Sequence, residues 1–133
     1  MKILLSAGKR TRGFRGLWRA IGHSCSGFRH GILHEAPIRQ QLIALAVMVP
    51  LSVLLPVSDL EHLILVLSMM TVVFAEFLNS AIEATVNRIS LDRHPLSKQA
   101  KDLASAAVFI AVLMSCLSWV VIAGPVVLRF FRK

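Results

Sequence analysis

A chain of 133 residues, 56% hydrophobic and 17% charged, is too apolar for an ordinary soluble domain, which runs about 45–50% apolar and about 25% charged. The length excludes two domains of usual size, and the hydrophobicity excludes disorder. The net charge of +8 is concentrated, since residues 1–39 hold eight Lys/Arg and one acid; beside so apolar a remainder, that points to an anionic membrane surface rather than nucleic acid.

The opening Met1-Lys2-Ile3-Leu4-Leu5 starts like a signal peptide, but Ser6 and then Lys9, Arg10 and Arg12 end the apolar run before an h-region forms. An amphipathic surface helix is expected over 6–34. Within it Phe14, Leu17, Trp18, Ile21, Cys25, Phe28 and Ile32 recur at helical spacing as one stripe. Arg12, Arg15, Arg19, His23, Ser26 and His30 fall on the other side. Five glycines (Gly13, Gly16, Gly22, Gly27 and Gly31) each weaken an isolated helix by up to about 1 kcal/mol. The segment therefore needs support from the membrane interface, from the protein's own bundle, or from both.

Three transmembrane helices are expected next, at 37–57, 60–88 and 100–128, giving an all-α integral membrane protein of one domain. Leu42–Val57 carries no charge and tolerates Pro50, because neighbouring helices re-satisfy the freed carbonyl. It reaches spanning length only if Pro37–Gln41 supplies its first turn. Asp59 and Glu61 mark a short acidic turn, Leu63–Ala75 is uncharged, and Leu103–Leu128 is the clearest span. Lys and Arg are abundant in the N-terminal segment and in the 88–101 loop and absent from 58–62. This places the N-terminus and that loop in the cytoplasm, with the basic C-terminus outside against the usual bias. Cys25 and Cys116 are too far apart in sequence and pattern to suggest a disulfide framework or a zinc site.

The second span is where chemistry concentrates. Glu76, Asn79, Glu83 and Asn87 are spaced three, four and four residues apart, so they share one helix face. A charge at mid-membrane costs about 2.5–3.5 kcal/mol on insertion scales, so the default inference is function. Counting from His62 at 1.5 Å per residue, Glu83 lies about 31 Å along the axis, one bilayer core away, and Glu76 is about 10 Å deeper. Lys101 and Asp102 precede the third span at the depth of Glu83, and Glu35 and Arg39 precede the first. Two or three carboxylates with a lysine suit magnesium and nucleotide phosphates without a P-loop, because Mg²⁺ is usually held by one or two carboxylates plus the phosphates. No P-loop or Asp-Phe-Gly motif is present.

Glu76-Phe-Leu-Asn-Ser-Ala-Ile-Glu83, followed by Ala-Thr-Val-Asn87-Arg88, resembles the signature of the small prokaryotic diacylglycerol kinases, whose relatives include undecaprenol kinases. His94-Pro-Leu-Ser-Lys-Gln-Ala-Lys-Asp102, continuing through Ser105, resembles that family's loop into its last helix. Gly22-His23-Ser24 and Glu35-Ala-Pro-Ile-Arg39-Gln resemble its N-terminal half. About residues 14–125 are covered. The resemblance implies a homotrimeric three-span bundle in the bacterial inner membrane, with sites shared between subunits, using ATP and Mg²⁺ to phosphorylate diacylglycerol. It makes Glu76 the general base, in contact with the lipid, and Glu35 and Glu83 the ligands of nucleotide-bound magnesium. Asn79, Lys101 and Asp102 would line the phosphates, His94 would lie near the nucleobase, and Asp92 is grouped with them as nucleotide-facing. Arg39 and Ser105 would lie near the lipid. The family usually has Asp at Asn87, an aromatic at His23, commonly an acid at Gln41 and in some members Tyr at Arg93.

Phosphoryl transfer needs positioning and charge neutralisation more than covalent chemistry, which this residue set can supply. An ion-translocating oligomer also explains Glu76 and Glu83 but leaves Asn79 and the Lys101-Asp102 pair without a purpose. A silent adaptor would need no polar face, while interhelical hydrogen bonding alone remains a structural alternative. His30, His34 and Glu35 lack the further ligands that a closed zinc site requires. Residues alone do not separate diacylglycerol from undecaprenol.

Overall fold

The structure, a computed structural model, describes residues 14–90 and 94–132. The expected start of the surface helix at residue 6, together with Arg12, Asp92, Arg93 and Lys133, lies outside the described residues. Four helices account for nearly all the rest: α1 (Phe14–His34), α2 (Ala36–Val53), α3 (Asp59–Ile89) and α4 (Pro95–Phe131), with no strand among the described residues. The last three are long and apolar enough to cross a membrane.

Local chemistry sets each boundary. A single extended residue, Glu35, separates α1 from α2; its amide still donates to the Gly31 carbonyl at 3.0 Å, so the corner costs almost no backbone pairing. Pro37 falls in the first turn of α2, where a missing N–H is harmless. This helix ends at Val53, short of the Val57 expected from composition. Pro56 has no N–H to continue it, and the amides of Leu54 and Leu55 instead close tighter bonds to Leu51 and Ser52. Ser58 then caps α3 reciprocally with Glu61: the Ser58 amide donates to the Glu61 carboxylate at 2.7 Å, and the Glu61 amide donates to Ser58 Oγ. At the start of α4, His94 Nδ1 accepts the Leu96 amide, and Pro95 opens the helix ahead of its apolar span.

The principal pairing is antiparallel, α3 against α4. Its seam uses small residues on α4, where Ala104, Ala111 and Ser115 are buried and let the backbones approach closely. Ser115 Oγ lies 3.3 Å from Ser68 Oγ and donates to Met69 Sδ, satisfying a hydroxyl that lipid would leave unpaired. Large apolar side chains face outward instead, with Phe109 61% and Val120 68% exposed, as a lipid-facing surface requires.

Helix α1 crosses α3 near its own C-terminal end. Phe28 meets Phe77 edge-to-face with ring centroids 4.9 Å apart, and Gly31 is buried against Phe77 and Ile38. A Cβ on Gly31 would stand 2.8 Å from Phe77 Cε1 and 3.0 Å from Ile38 Cδ1. The Phe77 ring is already held by Phe28, so it cannot swing aside cheaply. Replacing Gly31 by alanine gains up to about 1 kcal/mol of helix propensity but overpacks this contact by about 1–3 kcal/mol. We expect Gly31→Ala to lower the thermal unfolding midpoint, and Phe77→Leu to recover most of the loss in the double variant. Additive losses in that cycle would show that the contact is not the cause.

Candidate active site

The polar face of α3 begins inside the bundle and ends at its rim. Glu76 is 6% exposed, Asn79 and Glu83 are half-buried, and Asn87 is exposed. Glu76 lies within electrostatic reach of both Glu83 and Glu35, so the α1–α2 corner brings its carboxylate toward the α3 face. Asn79 Oδ1 is buried and has no hydrogen-bond partner. A buried amide oxygen left open beside three acids is costly unless something arrives to donate to it.

Two grooves flank the point where α1 crosses α3, sharing Gly27 and Phe77. One, of about 480 Å³, is apolar and walled by Phe28, Leu42, Leu45, Val73 and Phe77. The other, of about 340 Å³, contains Glu35, His30, Ser26 and Ser80 and lies toward the Glu83 end of α3. The crossing therefore divides an apolar groove from one that is also mainly apolar but carries Glu35, His30 and two serines, with Phe77, the residue next to Glu76, on the wall of both.

The remaining expected residues are distributed as follows. Lys101 Nζ donates to Asn87 Oδ1 at 2.8 Å, which links the start of α4 to the rim of the α3 face. Asp102 is turned to Lys98, at 3.1 Å on the exposed side of α4, rather than toward the acids. His94 serves as the α4 cap. Arg39 donates to the Ile32 and Leu33 carbonyls at 3.3 and 3.4 Å, holding the C-terminal end of α1 against the start of α2. Ser105 is exposed on α4 beside buried Ala104. Asp92 lies outside the described residues.

Among the described residues, no three His, Cys, Asp or Glu side chains gather into a self-contained metal site. Two carboxylates plus phosphate oxygens are a usual magnesium set, so Glu35 and Glu83 are the acids to test for a metal that arrives with a nucleotide. Sequence reasoning missed two contacts. It gave Asn87 no partner on α4, where Lys101 donates to it, and it treated Gly31 only as a weak helix former. No local signal marked either, since both partners lie on other helices.

The Asn87–Lys101 bond carries an expectation of its own. A neutral amide orients the lysine without cancelling its charge, whereas Asp at 87 would form an ion pair with it. Exposed pairs of this kind are worth about 1 kcal/mol or less, so Asn87→Asp should shift ATP or Mg²⁺ dependence by at most about fivefold. Lipid preference should be unchanged. Initial rates titrated against ATP, Mg²⁺ and lipid separate these effects, and a shift confined to lipid would refute the assignment.

Comparison with known proteins identifies the chain's relatives. The family model described as prokaryotic diacylglycerol kinase matches residues 22–123. The chain is 41% identical over 114 residues to a diacylglycerol kinase of Pseudomonas aeruginosa, covering 86% of this chain and 93% of that relative. It is 39% identical over 112 residues to one of Escherichia coli strain K12, covering 84% and 92%. It is 32% identical over 124 residues to one of Helicobacter pylori strain 26695, covering 93% and 94%. An acidic, partly buried face on a membrane-length helix, carried on a chain that matches this model over most of its length, makes the protein a member of the prokaryotic diacylglycerol kinase family.

Proposed function

We propose that the protein is an ATP- and Mg²⁺-dependent diacylglycerol kinase of the bacterial inner membrane, forming phosphatidic acid. The observation that carries this reading is the buried Glu76 carboxylate one turn from the unpartnered Asn79 Oδ1, with Glu83 two turns nearer the rim. Family membership supports the reaction class.

The tails of the lipid would lie in the apolar groove between α1, α2 and α3 without leaving the bilayer. Its hydroxyl would reach Glu76 at the inner edge of the polar face. Glu35 and Glu83 would hold the metal, with Asn79 and Lys101 toward the phosphates, His94 toward the rest of the nucleotide, and Arg39 and Ser105 on the lipid side; Asp102 would reach the phosphates only by leaving Lys98. Magnesium, when bound, supplies positive charge against the phosphate oxygens. As the hydroxyl oxygen bonds to the γ-phosphorus, the bond to the β–γ bridging oxygen breaks. The hydroxyl proton passes to Glu76, and ADP leaves. Lys101, oriented by Asn87, offsets charge on the transferring group.

The same reading makes α1 an interfacial helix with its N-terminus cytoplasmic, supported by its exposed Arg15, Arg19 and Arg29 and by a single docking point at its C-terminal end. It also includes a homotrimer with shared sites. Purified protein in lipid vesicles, given labelled ATP, Mg²⁺ and a panel of lipid alcohols including diacylglycerol and undecaprenol, should label diacylglycerol. Label on undecaprenol alone would move the assignment to that lipid; no label from folded protein would end the kinase reading and favour ion translocation.

A further inference from the structure

At the end of the bundle opposite Glu83, the turn after α2 and the last turns of α4 enclose a groove of about 550 Å³. Its walls are apolar, formed by Leu54, Pro56, Val126 and Phe130, and Arg129 is set into its edge. Arg132, the C-cap of α4, is exposed one turn further on. Among the described residues neither arginine has an acidic partner, and the ion pair there joins Lys98 and Asp102. The acids nearest in the chain at this end are Asp59 and Glu61, and Glu61 is already engaged by the Ser58 amide and hydroxyl at 2.7 Å each. The C-terminal end of a helix carries about half a negative charge, which offsets only part of two arginines, so the patch stays cationic.

Cationic side chains immediately beside an exposed apolar groove at the end of a spanning helix match one chemistry, an acyl chain joined to an anionic phosphate. We propose that this groove binds an anionic phospholipid of the surrounding bilayer, its phosphate on Arg129 and Arg132 and an acyl chain along Leu54, Pro56 and Phe130. The family match ends at residue 123, before Val126, Arg129 and Phe130, and includes Leu54 and Pro56 on the opposite wall. The groove stands a bilayer away from the polar face of α3 and does not rest on the kinase reading.

The test compares wild type with Arg129→Gln/Arg132→Gln in vesicles of phosphatidylcholine alone and of equal phosphatidylcholine and phosphatidylglycerol. Native mass spectrometry of protein released from the mixed vesicles reads the lipid retained. Wild type should retain phosphatidylglycerol in preference by about fivefold per arginine, the attraction of one basic side chain near an anionic surface. The double variant should lose that preference while keeping its unfolding midpoint in phosphatidylcholine. Equal retention of both lipids by wild type would overturn the proposal. So would displacement of the lipid by inorganic phosphate alone, or a change in subunit number in the double variant, which would assign the groove to a second copy of the chain. A separate variant, Val127→Asp, places an acid beside the groove and should also abolish the preference; retained preference there would argue against this location.

Discussion

Replacing Glu76 by glutamine is expected to lower kcat by about 10²–10⁴-fold, the range lost when a general base is removed. KM for ATP should change little, because a base acts in the transition state rather than in nucleotide binding. The fold should survive the change. Glutamine nearly matches glutamate in volume, and it removes a buried charge that Glu35 and Glu83 oppose. Thermal unfolding and fluorescent-nucleotide titration on the same preparation separate the outcomes: intact folding and binding with lost turnover support the base, and lost binding would sink it.

Glu83→Gln should behave differently. Glu83, nearer the rim than Glu76 and proposed to hold magnesium, should on its loss raise the Mg²⁺ concentration needed for half-maximal rate. The rise should be at least about tenfold, since even residues that only support metal ligands are worth about 10–100-fold. Turnover should recover substantially at saturating Mg²⁺, whereas Glu76→Gln should not recover at any concentration. Identical Mg²⁺ profiles for the two variants would mean that the depth ordering along α3 is wrong.

The three membrane-length helices and the polar face of α3 were legible because both rest on periodicity within one segment. Uncharged runs define the helices, and spacings of three and four put Glu76, Asn79, Glu83 and Asn87 on one side. The reciprocal cap between Ser58 and Glu61 was also written in the sequence as Ser-x-x-Glu, although those acids suggest at first only a polar turn. What stayed hidden depends on contacts between helices. Arg39 shows no partner in the sequence and meets the Ile32 and Leu33 carbonyls only once α1 places them within reach. Lys101 finds Asn87 only because α3 and α4 run antiparallel in that register. Gly31 reads as a helix weakener until the Phe77 ring is set against it. Sequence spacing carries no record of which side chain on a second helix will fill a gap.

The one-residue corner at Glu35 has a mechanical consequence. With α1 docked on α3 at Phe28 and Gly31, the stretch from Phe14 to Gly27 is a free arm of about 20 Å beyond a fulcrum. A tilt of α1 by about ten degrees about that fulcrum would sweep its tip through roughly 3.5 Å, given that length and the rigidity of a helix. The residue that turns the chain also carries a carboxylate facing the polar groove, so a grip on that carboxylate acts at the short end of a lever whose long end lies along the basic residues of α1.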